Sequence, residues 1–255
     1  MNASALSAQA DQLRGLHVPG SPLLLVNAWD PPSARRLAHD GYPAIATTSA
    51  GVAEALGYED GNVTPPDEML AAVGRIAAVV DVPVTADLEA GYGLEPRQLV
   101  EGLLHAGAVG LNFEDTDHEG GGMVDADGQV ERLVAIKAAG REAGVDVVLN
   151  ARVDAFLHDG EPDAQLDEAV RRGRMYAQAG ADLVYPIGAR GRDGIRRLVE
   201  EIGVPLNILA VPGGLSLAEL GQLGVARVSF GSGLMHIAMD AAAEQAIRYR
   251  ATGPA

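Results

Sequence analysis

The chain reads as an α/β protein of the (β/α)8 TIM-barrel type, in one domain spanning residues 1–255. Three observations predict it. Eight short apolar runs alternate with helical patterns along the whole length, no linker or composition shift divides the chain, and polar residues gather where those runs end. A chain of 255 residues suits one barrel. With 47% hydrophobic but only 4% aromatic residues, the core must be aliphatic.

Residues 1–17 form a short helical pattern without a basic start or an apolar run, so no signal peptide is expected and a cytoplasmic protein is. The strands predicted next are Leu23–Trp29, Ala44–Ser49, Val82–Glu89, Val109–Asp115, Val147–Asp154, Leu183–Gly188, Leu206–Val211 and Arg227–Gly231. Between them lie helices at Pro32–His39, Pro66–Val80, Pro96–Ala106, Val130–Ala143, Ala164–Ala179, Asp193–Ile202 and Leu217–Leu223. Asp30 and Thr64, each ahead of a proline pair, are placed as helix caps. Gly107, Gly180 and Gly224 stand just past helix ends, where a left-handed residue is wanted. A last helix, residues 234–250, carries an apolar face (Leu234, Ile237, Ala238, Ala241) that needs burial against the barrel or a second copy, so a homo-oligomer is expected.

There is no cysteine, which excludes disulfides and thiolate chemistry. Nineteen Lys and Arg against 35 Asp and Glu give −16, which disfavours nucleic acid and anionic membranes as partners. No apolar stretch is long enough to span a bilayer.

In such barrels the chemistry sits at the C-terminal strand ends. Those ends carry Trp29 and Asp30, Thr48 and Ser49, Asp87 and Glu89, Glu114 and Asp115, Arg152 and Asp154, and Asn207. Asp87 and Glu89 share a face by strand alternation, and two adjacent acids repel unless a cation or a shared proton relieves them. With Glu114 they predict a divalent-metal site of hard oxygen donors, suited to Mg²⁺ and also to Mn²⁺; a solvated strand end is the plainer reading. Arg152 offers a planar fork matched to a carboxylate, or alternatively an ion pair for Asp154. His118, alone in a glycine-rich loop, is the one group there with a neutral pKa. The turns Pro212-Gly213-Gly214 and Phe230-Gly231-Ser232-Gly233 admit a rival reading as a phosphate site, or as tight strand–helix turns.

The ordered motifs Val26-Asn27-Ala28-Trp29-Asp30, Ala50-Gly51-Val52-Ala53, Leu56-Gly57-Tyr58-Glu59-Asp60, Ala86-Asp87-Leu88-Glu89-Ala90-Gly91-Tyr92-Gly93, Phe113-Glu114-Asp115 and Asn150-Ala151-Arg152-Val153-Asp154-Ala155 resemble the isocitrate lyase/phosphoenolpyruvate mutase superfamily. The resemblance implies a Mg²⁺-dependent enzyme that makes or breaks a C–C or C–P bond of a small 2-oxo or 2-hydroxy carboxylate beside an enolate. It implies metal binding at Asp87 and Glu114, with Glu89 where the family usually has aspartate. It implies a substrate grip by Arg152 and by Thr48, Ser49, Ala50 and Gly51, and a catalytic acid at Asp60; Asn207, read as a strand-end residue, is expected to join the substrate-binding set. The segment after the fourth strand, residues 115–128, departs from the family's catalytic loops. It holds no Cys, Lys or Arg, which leans toward C–C cleavage over phosphonate chemistry and leaves a catalytically silent metabolite-binding barrel as a third reading. Three consecutive glycines predict that segment to be a mobile gate, with His118 as its acid/base.

Overall fold

The computed structural model describes residues 2–253. Eight parallel strands alternate with helices. β1 comes in two halves, Leu23–Leu25 and Asn27–Ala28, followed by β2 (Ile45–Thr47), β3 (Val84–Asp87), β4 (Gly110–Glu114), β5 (Val148–Val153), β6 (Leu183–Pro186), β7 (Asn207–Leu209) and β8 (Arg227–Ser229). The second half of β1 pairs with β2, and each strand pairs with the next through β6. β8 lies between β7 and the first half of β1. A parallel bridge from Val184 to Leu206 joins β6 to the start of β7, so the ring of strands is continuous. The break at Val26 lets one strand serve both sides of the seam.

The helices are α1 (Ala3–Gly15), α2 (Pro31–His39), α3 (Ser49–Leu56), α4 (Pro66–Ala77), α5 (Pro96–His105), α6 (Ala126–Glu142), α7 (Pro162–Gln178), α8 (Arg192–Ile202), α9 (Leu217–Gln222) and α10 (Gly233–Thr252). Asp30 caps α2 in a reciprocal box with Ser33. Gly107, Gly180 and Gly224 adopt φ of 85°, 96° and 91°, the left-handed turns their placement predicts. Thr64 does not cap α4: Pro65 holds the cap position, and the buried Thr64 hydroxyl has no partner. α3, which the sequence reading missed, starts directly after β2 with Thr48 as its cap. Its short small-residue run offers little helical periodicity to read.

Aliphatic side chains between strands and helices form the main core, as the low aromatic content requires. α1 closes the N-terminal end of the barrel. A Cβ at position 110 would lie 2.8 Å from Leu13 Cδ2 and 2.9 Å from Thr85 Oγ1, so only glycine lets that helix seat. Arg14 fixes α1 through Asp182 at 2.7 Å.

The residues that line the strands in register change character along the barrel. Leu23, Leu25 and Ala46, with Leu16 against them, form a small apolar cluster apart from the main core. Buried Asn112, Asn150, Asn207 and Arg227 form a polar group, with Asn112 opposite Asn150, and Arg227 opposite Asn207 on one side and Leu23 on the other in register. The acids and Arg152 follow at the C-terminal ends. Beyond Met235, α10 leaves the barrel: Ile237, Met239, Ile247 and Tyr249 are more than half exposed. Of the apolar face predicted for it, Ile237, Ala238 and Ala241 find no cover among the described residues. Among the described residues no helix is long and apolar enough to cross a membrane.

Candidate active site at the mouth of the barrel

The acids singled out from the sequence do different things. Asp87 ends β3, where its backbone N–H donates to Thr47 Oγ1 at 2.9 Å. Its Oδ2 accepts the N–H and O–H of Ser49 at 3.2 and 3.0 Å, while its buried Oδ1 has no partner. Glu89 does not share that strand's alternation. The strand has already ended, and φ of 47° at Glu89 turns its side chain toward the loop after α3. There Oε2 accepts the N–H of Gly61 at 3.0 Å and of Asn62, and Oε1 accepts Tyr92 O–H at 2.9 Å. Tyr92 N–H in turn donates to Asn62 Oδ1 at 2.8 Å. The longer side chain thus clasps the loop that carries Asp60. Burial, then the Asp60 charge, push Glu89 up to about 7. Asp60 is raised by desolvation and by Asp87, although much of its surface meets solvent.

Glu114 ends β4, buried, with Oε1 2.6 Å from His118 Nε2 and Oε2 paired with Arg152 Nη1. Burial raises Glu114, with His118 and Arg152 opposing; the same contact with Glu114 raises His118. Arg152 spends its other two nitrogens on Asp154, Nε to Oδ1 at 2.7 Å and Nη2 to Oδ2 at 2.8 Å. Burial works against its charge, yet Asp154, Glu114 and Asp87 together raise its pKa. Asp154 is seated in its turn. Thr116 O–H donates to its Oδ2, and its N–H donates to Asp115 Oδ1 at 2.9 Å. Asp115 accepts Tyr176 O–H at 2.6 Å and Arg172 Nη1–H at 3.1 Å. The ion-pair reading of Arg152 therefore describes this conformation: Asp154 holds two of its nitrogens and Glu114 the third.

Residues 115–128 are more ordered than a glycine-rich gate suggests. Thr116 and Met123 form an antiparallel bridge, Asp117 N–H donates to Gly122 O at 2.9 Å, and Asp117 Oδ1 accepts the N–H of Glu119 and Gly120. Gly121 and Gly122 take φ of 77° and 81°, so they make the turn of a small hairpin. Met123 packs against the core as an anchor, and Arg172 reaches Val124 O at 2.9 Å. This hairpin carries His118 to Glu114.

Thr48, Ser49, Ala50 and Gly51 sit at the N-terminal turn of α3, beside Asp87. Asn207 is not at a C-terminal strand end. It opens β7, fully buried, donating to Ser229 Oγ at 3.2 Å with its own Oδ1 unpartnered. The predicted strand, Leu206–Val211, also begins there, so counting Asn207 among the C-terminal ends is the error. Asn62, Tyr92, Tyr185 and Arg227 escaped the sequence reading. The first two are betrayed only by left-handed backbone, φ of 63° and 54°. Tyr185, buried against Ser229 and within reach of the Arg152 charge, looks like ordinary core.

Donor atoms of Glu89, Glu114 and His118 lie within 4.8 Å of one another. The sequence grouped Asp87 with the two glutamates; in the structure His118, carried by the hairpin, and not Asp87 completes this close group. Carboxylate oxygens and the buried, unpartnered Oδ1 of Asp87 fit a hard divalent cation. The glycine turn after β7 lines a separate cavity of about 230 Å³ with Arg190 and Gly191, where no acid gathers.

Residues 13–249 match the sequence profile of the phosphoenolpyruvate phosphomutase family. An uncharacterized protein of Mycobacterium tuberculosis is 36% identical over 217 residues, 85% of this chain and 80% of the relative. The 2,3-dimethylmalate lyase of Eubacterium barkeri is 30% identical over 227 residues, 84% of this chain and 77% of that protein. A solved Burkholderia cenocepacia J2315 protein, named provisionally as a phosphonomutase, superposes with a TM-score of 0.90 at 37% identity, covering 95% of this chain and 99% of its own.

Proposed function

This chain belongs to the phosphoenolpyruvate phosphomutase family, within the isocitrate lyase/phosphoenolpyruvate mutase superfamily, and from that premise we propose that it is a Mg²⁺-dependent lyase. Its reaction is C–C cleavage of a small 2-oxo or 2-hydroxy carboxylate, leaving a pyruvate-like enolate. The observation that carries this reading is one buried, pre-oriented guanidinium, Arg152, set against an acid cluster with an unpartnered Asp87 oxygen.

Asp87, with Glu89 and Glu114, would hold Mg²⁺ or Mn²⁺, and the bound ion would supply Lewis acidity that spreads the enolate's negative charge. Arg152 grips a substrate carboxylate when Glu114 releases its Nη1, while Asp154 keeps the fork aligned. Thr48, Ser49, Ala50 and Gly51 receive the carboxylate at the first turn of α3, where helix N–H groups favour an anion. Asn207 supports this pocket from beneath through Ser229 and Tyr185. In a 2-oxo substrate the breaking bond leaves its electron pair on the pyruvate-like fragment as the other carbon departs as carbon dioxide. In a 2-hydroxy substrate a base takes the hydroxyl proton, the carbonyl forms on the pyruvate-like fragment and the pair departs on the other fragment. His118, its proton favoured by contact with Glu114, protonates the carbon that holds the pair. Asp60 faces the same space with a raised pKa and is the second acid/base group. The hairpin over Glu114 excludes water from the enolate.

The likeness to a phosphonomutase supports a second reading, C–P chemistry on phosphonopyruvate. The hairpin's lack of Lys or Arg weighs against it, since a phosphonate carries an extra charge. A panel of oxaloacetate, substituted malates, methylisocitrate and phosphonopyruvate, assayed for pyruvate with Mg²⁺, separates the readings. Pyruvate from the carbon acids supports the lyase, and pyruvate from phosphonopyruvate alone replaces it with the second. Binding without turnover on any of them leaves a metabolite-binding barrel. We further propose that α10 is covered by a second copy of the chain, since Ile237, Met239, Ile247 and Tyr249 stand exposed.

A further inference from the structure

Below the acid cluster lies a cation that no carboxylate touches. Arg227 opens β8 and is 1% exposed. Its Nη2 donates to Asn112 Oδ1 at 3.3 Å, and its Nε has no partner. Among the described residues it joins no ion pair. Its neighbours are amides, and the oxygens of Asn150 and Asn207 are likewise unpartnered. On the α1 side, buried His17 has both ring nitrogens unpartnered; burial and then the Arg227 charge push it down to about 3, so it is neutral.

A hydrogen bond does not explain an arginine here. Asn112 Oδ1 already accepts a shorter bond, 2.8 Å, from Asn150 Nδ2. Burying an unpaired guanidinium is costly, and an apolar side chain of the same volume would fill the space without that cost. What Arg227 uniquely provides is charge. The charge whose field reaches it is that of Asp87, on the site side, opposing the desolvation that lowers it to about 10.

We infer that Arg227 is an electrostatic positioning residue of the active site, its fixed charge restraining a bare divalent cation among Asp87, Glu89 and Glu114 and favouring a dianionic substrate once the cation is bound. The inference rests on the metal and carboxylate reading above. Such a charge makes the two ligands depend on each other, because neither alone balances the pocket.

The test is calorimetry with MgCl2 alone, then with oxalate at saturating Mg²⁺, for the wild type, Arg227→Met and Arg227→Lys. Removing the charge in Arg227→Met should tighten Mg²⁺ about tenfold and weaken oxalate about tenfold, the scale of one unit charge across partly polar protein. Arg227→Lys, which keeps the charge but not the fork, should stay within about threefold on both. Two affinities that fall together in Arg227→Met, or that do not move, overturn the inference. If circular dichroism shows that Arg227→Met does not fold, Arg227→Lys decides: retention of both affinities supports the role of charge, and loss of both overturns it. A wild type that binds no Mg²⁺ would instead remove the metal reading, and this inference with it.

Discussion

Glu114 and Arg152 face each other in register on adjacent strands, and the buried ion pair between them occupies the one guanidinium nitrogen that Asp154 leaves free. A substrate carboxylate would therefore compete with Glu114 for Arg152, and a cation held by Glu114 would weaken that pair. Arg152→Lys keeps the charge and loses the fork. We expect kcat/KM to fall on the order of 100-fold, ~3 kcal/mol, with Mg²⁺ affinity changed only a few-fold. Steady-state kinetics on the active member of the acid panel reads the first, and calorimetry the second.

Asp87→Asn removes one negative charge but leaves an amide oxygen to accept from Ser49. The thermal midpoint should stay near that of the wild type while the Mg²⁺ dissociation constant rises at least ~10-fold. Chelator should abolish wild-type turnover, and added Mg²⁺ should restore it in the wild type alone. Unchanged Mg²⁺ affinity in the variant would remove Asp87 from the ligand set.

His17 sets a pH dependence of stability away from the site. Its folded pKa is about 3, far below the ordinary value of 6.5, so the unfolded chain binds the extra proton between those values. Stability is full above pH 6.5 and declines as pH falls toward 3. At pH 5 the loss amounts to about 2 kcal/mol. Denaturant titrations of the wild type and His17→Leu at pH 7.5 and 5 isolate it: the variant's decline should be smaller by about that amount.

The hairpin glycines are turn residues, so alanine there does not stiffen a hinge. Gly121→Ala and Gly122→Ala force left-handed backbone onto residues with a Cβ, at a cost of about 1 kcal/mol each. A Cβ at Gly120 would lie 2.5 Å from Asp117 Oδ2. The double variant Gly121→Ala/Gly122→Ala should loosen His118 from Glu114, lowering kcat several-fold while Mg²⁺ affinity holds. Equal losses in both would mean that the hairpin shapes the metal site itself.

If a second copy covers α10, the wild type should sediment as an oligomer. Ile237→Glu with Ile247→Glu should shift it toward monomer without changing the barrel's circular dichroism, because both side chains are about two-thirds exposed in the isolated chain. A monomeric wild type at working concentration would refute the docking.

The barrel and the strand-end chemistry were legible because they follow from periodicity and position. Asp87, Glu114 and Arg152 stand at the ends of consecutive strands, as their places in the eightfold alternation predict. What stayed hidden depends on single backbone angles or on through-space pairing. Strand alternation cannot foresee that Glu89 turns at φ of 47° and clasps Gly61 and Asn62. Nor can spacing tell that Arg227, at a strand start, comes to lie beside Asn112, 115 residues away in sequence. Glycine composition suggested looseness in residues 115–128, where Asp117 and Met123 supply order that composition does not count.

The split first strand also has a consequence for how this protein must be made. Leu23–Leu25 has its hydrogen-bonding partner at Arg227–Ser229, nearly the whole chain away. A ribosome-bound chain can assemble strands two to six in order, but it carries an open parallel edge until the last strand emerges. Closure is thus a late, long-range event. Any truncation that removes Arg227–Ser229 leaves the N-terminal strand unpaired on that side and exposes the edge that the finished ring conceals.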